Sequence, residues 1–190
     1  GLEYEHRPWS VFRDGDLIQP FNPLSRVPTL VLDDGSAVIE SAAILDYLDE
    51  LTRAQAGAEA ALIPERGPGR RAQLHIMALA TGLADKAVGL MYERLLHEVT
   101  SADWMARCQR QIAGVLAALE RDRAARPTDY WFGDRIGHAD IAVASALRFL
   151  GDAHPDAFDP ERWPALGNHA AWCEALAVFQ EICQPLVVPR

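Results

Sequence analysis

Residues 22–50, NPLSRVPTLVLDDGSAVIESAAILDYLDE, decide how this chain is read. Val27-Pro28-Thr29-Leu30-Val31-Leu32 is a short β-rich run. Asp33-Asp34-Gly35-Ser36 supplies turn chemistry, and Ala37-Val38-Ile39 is a second apolar run, so the span predicts a hairpin. From Ser41 the period changes: Ile44, Leu48 and Leu51 recur at spacings of four and three, which predicts a helix capped by Ser41. Pro28 has no N–H for a ladder, so it belongs where the preceding peptide faces something other than a neighbouring strand. Glu40 and Ser41 fall at the junction of strand and helix. A helix start offers free N–H groups and a partial positive charge, a ready site for a carboxylate. The Ser41 hydroxyl can add to it, and Glu40 can hold an ammonium. Together they suit the two ends of an α-amino acid, although the same pair also reads as a plain cap beside a dipole-favoured anion.

On the amino side, residues 4–12 mix aromatic, β-branched and polar residues around Pro8 and predict an edge-like strand. On the carboxyl side the composition changes. Pro64, Gly67, Pro68 and Gly69 close an alanine-rich stretch and mark a linker. Beyond it the pattern is helical. Residues 71–99 carry an apolar stripe through Leu74, Met77, Leu79, Leu83, Val88 and Leu95. Residues 104–123 carry Ile112, Val115, Leu116 and Leu119 before Pro127 ends the helix. Residues 139–150 are apolar on almost every side, as a buried helix should be, and 168–183 would turn Trp172, Leu176 and Phe179 inward. The expected domains are therefore a small α/β unit over 1–52, a linker over 53–69 and an all-α unit over 70–190.

Eighteen Lys and Arg stand against 27 Asp and Glu, a net charge of -9, which opposes a nucleic-acid backbone or an anionic membrane surface as partner. Apolar runs such as Ile141 to Leu147 fall short of the roughly 20 residues a bilayer span needs, so a soluble protein is expected. Three cysteines without CxxC spacing support neither a disulfide framework nor a thiolate zinc site and fit a reducing cytoplasm. Cys108 and Cys183 read as small apolar helical residues, and His169 with Cys173 is one ligand pair too few for a metal.

The joint pattern is more telling than its parts. Asn22-Pro23, Arg26-Val27-Pro28-Thr29-Leu30, the Asp34-Gly35 turn and Ile39-Glu40-Ser41-Ala42-Ala43-Ile44-Leu45-Asp46-Tyr47-Leu48, taken in order, resemble the glutathione-binding domain of cytosolic glutathione S-transferases. The likeness continues to Gly133-Asp134-Arg135-Ile136-Gly137-His138-Ala139-Asp140-Ile141-Ala142, which resembles the capping box and staple that open that family's buried central helix. Gly137 departs from it, since the family carries Ser or Thr there. His138 beside Asp140 then reads as capping chemistry.

The resemblance implies an α+β fold: a thioredoxin-like domain followed by an all-helical one. It implies that Pro28 is cis, that Val27 pairs its main chain with the cysteinyl part of glutathione, that Glu40 and Ser41 hold the γ-glutamyl end, and that Arg26 lies near the glycyl carboxylate. Tyr92 and Arg94, on the first long helix, would line the pocket for a small hydrophobic electrophile. Glutathione is the implied co-substrate, with no metal, and a homodimer with a role in detoxification is the implied setting. Members of that family place a thiol-activating Tyr, Ser or Cys just after a first strand lying between the strand near Tyr4 and the one beginning at Pro28. That strand and residue are expected upstream of Gly1, and neither Tyr4 nor Ser10 takes the role. The need is plain: a thiol of pKa about 8.5 is only a few per cent ionised at neutral pH, and lowering it by two units takes about 2.7 kcal/mol. The implied activity is conjugation to, or reduction of, an electrophile by activated glutathione. The rival readings are a non-catalytic binding or assembly module on the same fold and a small-ligand carrier.

Overall fold

The computed structural model describes residues 2–188, and the chain falls into two compact units, 1–61 and 62–190. In the first, a one-turn helix α1 (Gly15–Ile18) buries Ile18, and strands β1 (Thr29–Val31) and β2 (Ala37–Ile39) form an antiparallel hairpin pairing Thr29 with Ile39 and Val31 with Ala37. Turn chemistry accounts for the hairpin. Gly35 sits at φ 84, where a side chain would be strained, and Asp34 Oδ1 accepts from both the N–H (2.9 Å) and the hydroxyl (2.6 Å) of Ser36. Helix α2 (Ser41–Ala56) follows at once, and a single 3₁₀ turn (Ala58–Ala60) closes the unit. The strand expected over 4–12 is absent: these residues are irregular, and Tyr4 is 75% exposed. A strand exists only against a partner, and β1 with β2 is the only ladder of named strands among the described residues.

The second unit is all helical: α3 (Pro68–Leu96), α4 (Ala102–Ala124), α5 (His138–Ala153), α6 (Pro164–Glu174) and α7 (Ala177–Ile182). Its core joins Ile76, Ala80, Leu83, Ala87 and Leu90 of α3 to Cys108, Ile112, Leu116 and Leu119 of α4 and Val143, Leu147 and Leu150 of α5. The stripe expected on α3 is partly rotated, for Leu74 and Leu95 lie exposed while Ile76, Ala80 and Ala87 are inside. Helix α3 is also long and apolar enough to cross a bilayer, contrary to the expectation that no segment is. Its buried stripe gives that apolarity a use within this core.

Three carboxylates, two buried and one half-buried, hold helix starts. Asp140 accepts from the N–H of Trp131 (2.7 Å) and Gly137 (2.8 Å), the second being the N3-to-cap half of a capping box, the only half possible where the cap has no side chain. A Cβ at Gly137 would meet the Leu62 carbonyl oxygen at 3.1 Å, so little room remains for the family's Ser or Thr. Glu120 accepts from the N–H of Ala165 and Leu166, both at 2.9 Å, just past Pro164, which has no N–H of its own. Glu93 accepts from Ser101 N–H at 2.6 Å at the cap of α4, and that bond holds its carboxyl below the usual range. The final helix differs from the sequence reading. It breaks into α6 and α7 at Ala175–Leu176, and Leu166, His169 and Cys173 face inward while Trp172 is 49% exposed. A run of Leu, His and Cys at helical spacing is apolar enough to be the inner face, but a lone Trp outweighs it to a reader of sequence. Cys183 is likewise exposed, just beyond α7 rather than within it.

His169 is enclosed between Asp140 Oδ1 and Cys173 Sγ, each 3.6 Å from Nε2, with the Trp131 ring edge-on at 5.2 Å. Burial first, and then the Arg123 charge, lower its pKa from 6.5 to about 4, and burial pushes the Cys173 thiol up to about 12. Above pH 6.5 His169 is neutral folded or unfolded and contributes nothing. Between 6.5 and about 4 only the unfolded chain takes the proton, so stability falls by roughly 3 kcal/mol across that window. Burial raises the Asp140 carboxyl, which works in the opposite sense toward the acid end. The urea midpoint of the wild type should therefore drop between pH 7 and pH 4.5, and the drop should shrink in His169→Gln; an equal drop in both would refute this assignment.

Candidate functional site

The hairpin register builds the site. With Thr29 opposite Ile39, continuing the ladder one step sets Pro28 opposite Glu40, so segments far apart in sequence become neighbours. The Val27–Pro28 bond is cis. Val27 is 53% exposed, and its N–H and C=O make no hydrogen bond among the described residues. Arg26 Nη1 lies 3.3 Å from Glu40 Oε1, with both side chains more than half exposed. Such a pair contributes at most about 1 kcal/mol.

Glu40, not Ser41, is the N-cap of α2, at φ 71 and ψ 133. For a residue with a Cβ this conformation costs about 1–3 kcal/mol, more than the exposed ion pair returns. Ser41 is thus the first residue of the helix, and its hydroxyl is not spent as a cap. Neither that hydroxyl nor the N–H groups of Ser41, Ala42 and Ala43 have a partner among the described residues, for the first helical bond runs from Ile44 N–H to the Glu40 carbonyl at 3.0 Å. The first turn of α2 contains no acidic residue. Three amides, a hydroxyl and a helix dipole therefore face outward, and the Glu40 carboxylate at the cap accepts a hydrogen bond from none of them.

Asn22, ahead of β1, is 1% exposed. Its Nδ2 donates to the Arg26 carbonyl (2.9 Å) and to Thr29 Oγ1 (3.1 Å), and its Oδ1 accepts from Leu24 N–H (3.1 Å). Thr29 Oγ1 in turn donates to the Arg26 carbonyl at 2.9 Å. Sequence reading marks Asn22 only as part of a pattern, since its partners are mostly main-chain atoms that leave no trace in residue identity. An Asn-Pro ahead of a β-run that opens on Thr is the one signal available.

Tyr92 and Arg94 lie on α3, in the other unit. Tyr92 is half-buried. Arg94 Nη1 donates to His154 Nδ1 at 3.1 Å, which leaves the His154 Nε2–H to donate to the Ala87 carbonyl at 2.8 Å. No group of three His, Cys, Asp or Glu positioned for a metal occurs among the described residues.

Comparison with known proteins follows the two units. Residues 1–56 match the glutathione S-transferase N-terminal domain and residues 102–175 its C-terminal domain. A maleylacetoacetate isomerase from Rattus norvegicus is 30% identical, over 95% of this chain and 80% of its own. The chain belongs to the glutathione S-transferase family. Among solved members, the enzyme from Methylobacterium radiotolerans in complex with glutathione sulfonate is 31% identical, with a TM-score of 0.76 over 90% of this chain and 79% of its own. The Methylobacillus flagellatus glutathione S-transferase with glutathione bound is 26% identical, with a TM-score of 0.78 over 89% of this chain and 80% of its own.

The strained cap gives a direct test. Glu40→Gly removes the Cβ that makes φ 71 costly, at the expense of a weak ion pair and some unfolded-state entropy. It should raise unfolding stability by about 1 kcal/mol in urea melts. A destabilised variant would show that the Glu40 side chain holds the junction together.

Proposed function

We propose that this protein binds glutathione along the Arg26–Pro28 and Glu40–Ser41 edge of its first unit and presents the thiol to a small electrophile. The observation that carries this reading is the free start of α2: the Ser41 hydroxyl and three N–H groups without partners, beside a carboxylate at Glu40. A γ-glutamyl group brings the complement, a carboxylate for the amides and hydroxyl and an ammonium for Glu40. The exposed Val27 main chain pairs with the cysteinyl residue as an added strand pairs with a sheet edge, and Arg26 takes the glycyl carboxylate. Holding both ends fixes where the sulfur sits, so positioning contributes to rate whatever the electrophile is. Tyr92 and Arg94 on α3 are assigned to the electrophile side. A homodimer and a cytoplasmic setting, with a role in detoxification, belong to the same proposal, and sedimentation should report twice the mass of one chain.

Two reactions share this chemistry. One is conjugation or thiol-dependent reduction, in which the sulfur attacks and the product leaves altered. The relatives named maleylacetoacetate isomerase favour a second: the thiolate adds to a conjugated cis double bond, the resulting single bond rotates, and elimination returns the trans isomer with the thiol regenerated. Turnover without net consumption of glutathione separates the second from the first.

Calorimetric titration of glutathione tests the site. Losing a hydrogen bond to a charged group costs about 1.5–3 kcal/mol, so Ser41→Ala should weaken glutathione roughly tenfold or more. Equal affinities in wild type and variant would refute the assignment.

A further inference from the structure

The Arg26 carbonyl is pinned from below by two donors, Asn22 Nδ2 and Thr29 Oγ1, each at 2.9 Å. That carbonyl shares a peptide unit with the Val27 N–H. The unit is trans, because Val27–Pro28 is the only cis bond among the described residues, and in a trans peptide the C=O and N–H point in opposite directions. Drawing the carbonyl inward therefore drives the Val27 N–H outward, where it has no partner among the described residues. Asn22 is suited to this: it is buried, it spends both its donor and its acceptor capacity inside the 22–29 loop, and its main-chain carbonyl also accepts from Ser25 N–H at 2.8 Å.

We propose that Asn22, with Thr29, is a positioning device that sets the orientation of the 26–27 peptide and so aims the Val27 N–H at the carbonyl of a bound cysteinyl residue. Asn22 touches no ligand atom and acts only through that peptide. The inference rests on the glutathione reading above and adds what decides the affinity for the cysteinyl part. It also separates two contributions to binding, because the γ-glutamyl end is held by Glu40 and Ser41, which the clamp does not touch.

The test compares glutathione with two shorter thiols. γ-Glutamylcysteine keeps the cysteinyl carbonyl oxygen, whereas γ-glutamylcysteamine lacks it and retains the γ-glutamyl end. Asn22→Asp, which removes both Nδ2 donors, and Thr29→Val, which removes the hydroxyl at nearly constant shape, should each weaken γ-glutamylcysteine and glutathione about tenfold. Both should leave γ-glutamylcysteamine within about twofold of wild type, and Thr29→Ser, which keeps the hydroxyl, should bind all three as the wild type does. Equal weakening of γ-glutamylcysteine and γ-glutamylcysteamine would mean general loosening of the loop and overturn the inference, as would undiminished binding of γ-glutamylcysteine or glutathione. Should Asn22→Asp not fold, the Thr29→Val and Thr29→Ser pair distinguishes the same outcomes. If Ser41→Ala leaves glutathione binding unchanged, the site reading fails first; if Ser41→Ala weakens it while the clamp variants do not, this inference alone falls.

Discussion

The antiparallel pairing of Thr29 with Ile39 is the constraint on which the rest of the first unit depends. A short turn closed by Asp34, Gly35 and Ser36 sets the register, and the register sets the neighbours. Slipping the pairing by one residue would turn every side chain of a strand to the other face and part Arg26 from Glu40. The hairpin itself is small, three residues a side, and a two-stranded ribbon alone is marginal in water. Its persistence falls to what is attached at either end: the Asn22 network before β1 and the helix that begins directly after β2.

The chain treats its helix starts in two contrasting ways. In the helical unit, α4, α5 and α6 each have a buried or half-buried carboxylate closing main-chain N–H groups at or beside their first turn: Glu93, Asp140 and Glu120. Helix α2 has none. Its cap is a glutamate in a backbone conformation that favours glycine, and its hydroxyl and first amides are left to solvent. A chain that satisfies three helix starts with carboxylates, one of them in the helix's own first turn, leaves the start of α2 open and adds strain to it, which is the pattern expected where the missing partner arrives from outside. The Ser41 hydroxyl and the first three amides of α2 are exposed and have no hydrogen-bond partner among the described residues.

What could be read from the sequence was whatever is encoded locally. The hairpin, the start of α2 and the apolar α5 follow from residue types at fixed spacing and need no knowledge of the remainder. The misreadings all concern partners. Residues 4–12 have strand-like composition, but a strand is a relation between two segments. On α6 the inner face is Leu166, His169 and Cys173, which sequence ranks below Trp172 because it weighs side-chain size and not what waits opposite. Cys183 reads as helical until α7 is seen to stop one residue earlier. The site divides the same way. Val27, Pro28, Glu40 and Ser41 announce themselves by type and order, while Asn22 does not, since its work is done on the carbonyl of Arg26 and the amide of Leu24, which every residue possesses.

That distinction bears on how much a chain of this kind can vary. On the proposed reading, much of the ligand's peptide portion meets main-chain groups, the Val27 amide and carbonyl and the first amides of α2, and these survive almost any substitution that keeps the backbone path. The residues that must be kept are then few: the ones that bend the path (Pro28, Gly35), the ones that pin it (Asn22, Thr29), and the two side chains that meet charge (Glu40, Ser41). Identity near 30% over almost the whole chain, with the fold retained, is what such a division allows. Specificity for the second reactant has no such protection. On the same proposal it rests on side chains of the helical unit, where α3 turns Tyr92 half inward and ties Arg94 to His154, and those would be free to change the reaction while the tripeptide is held as before.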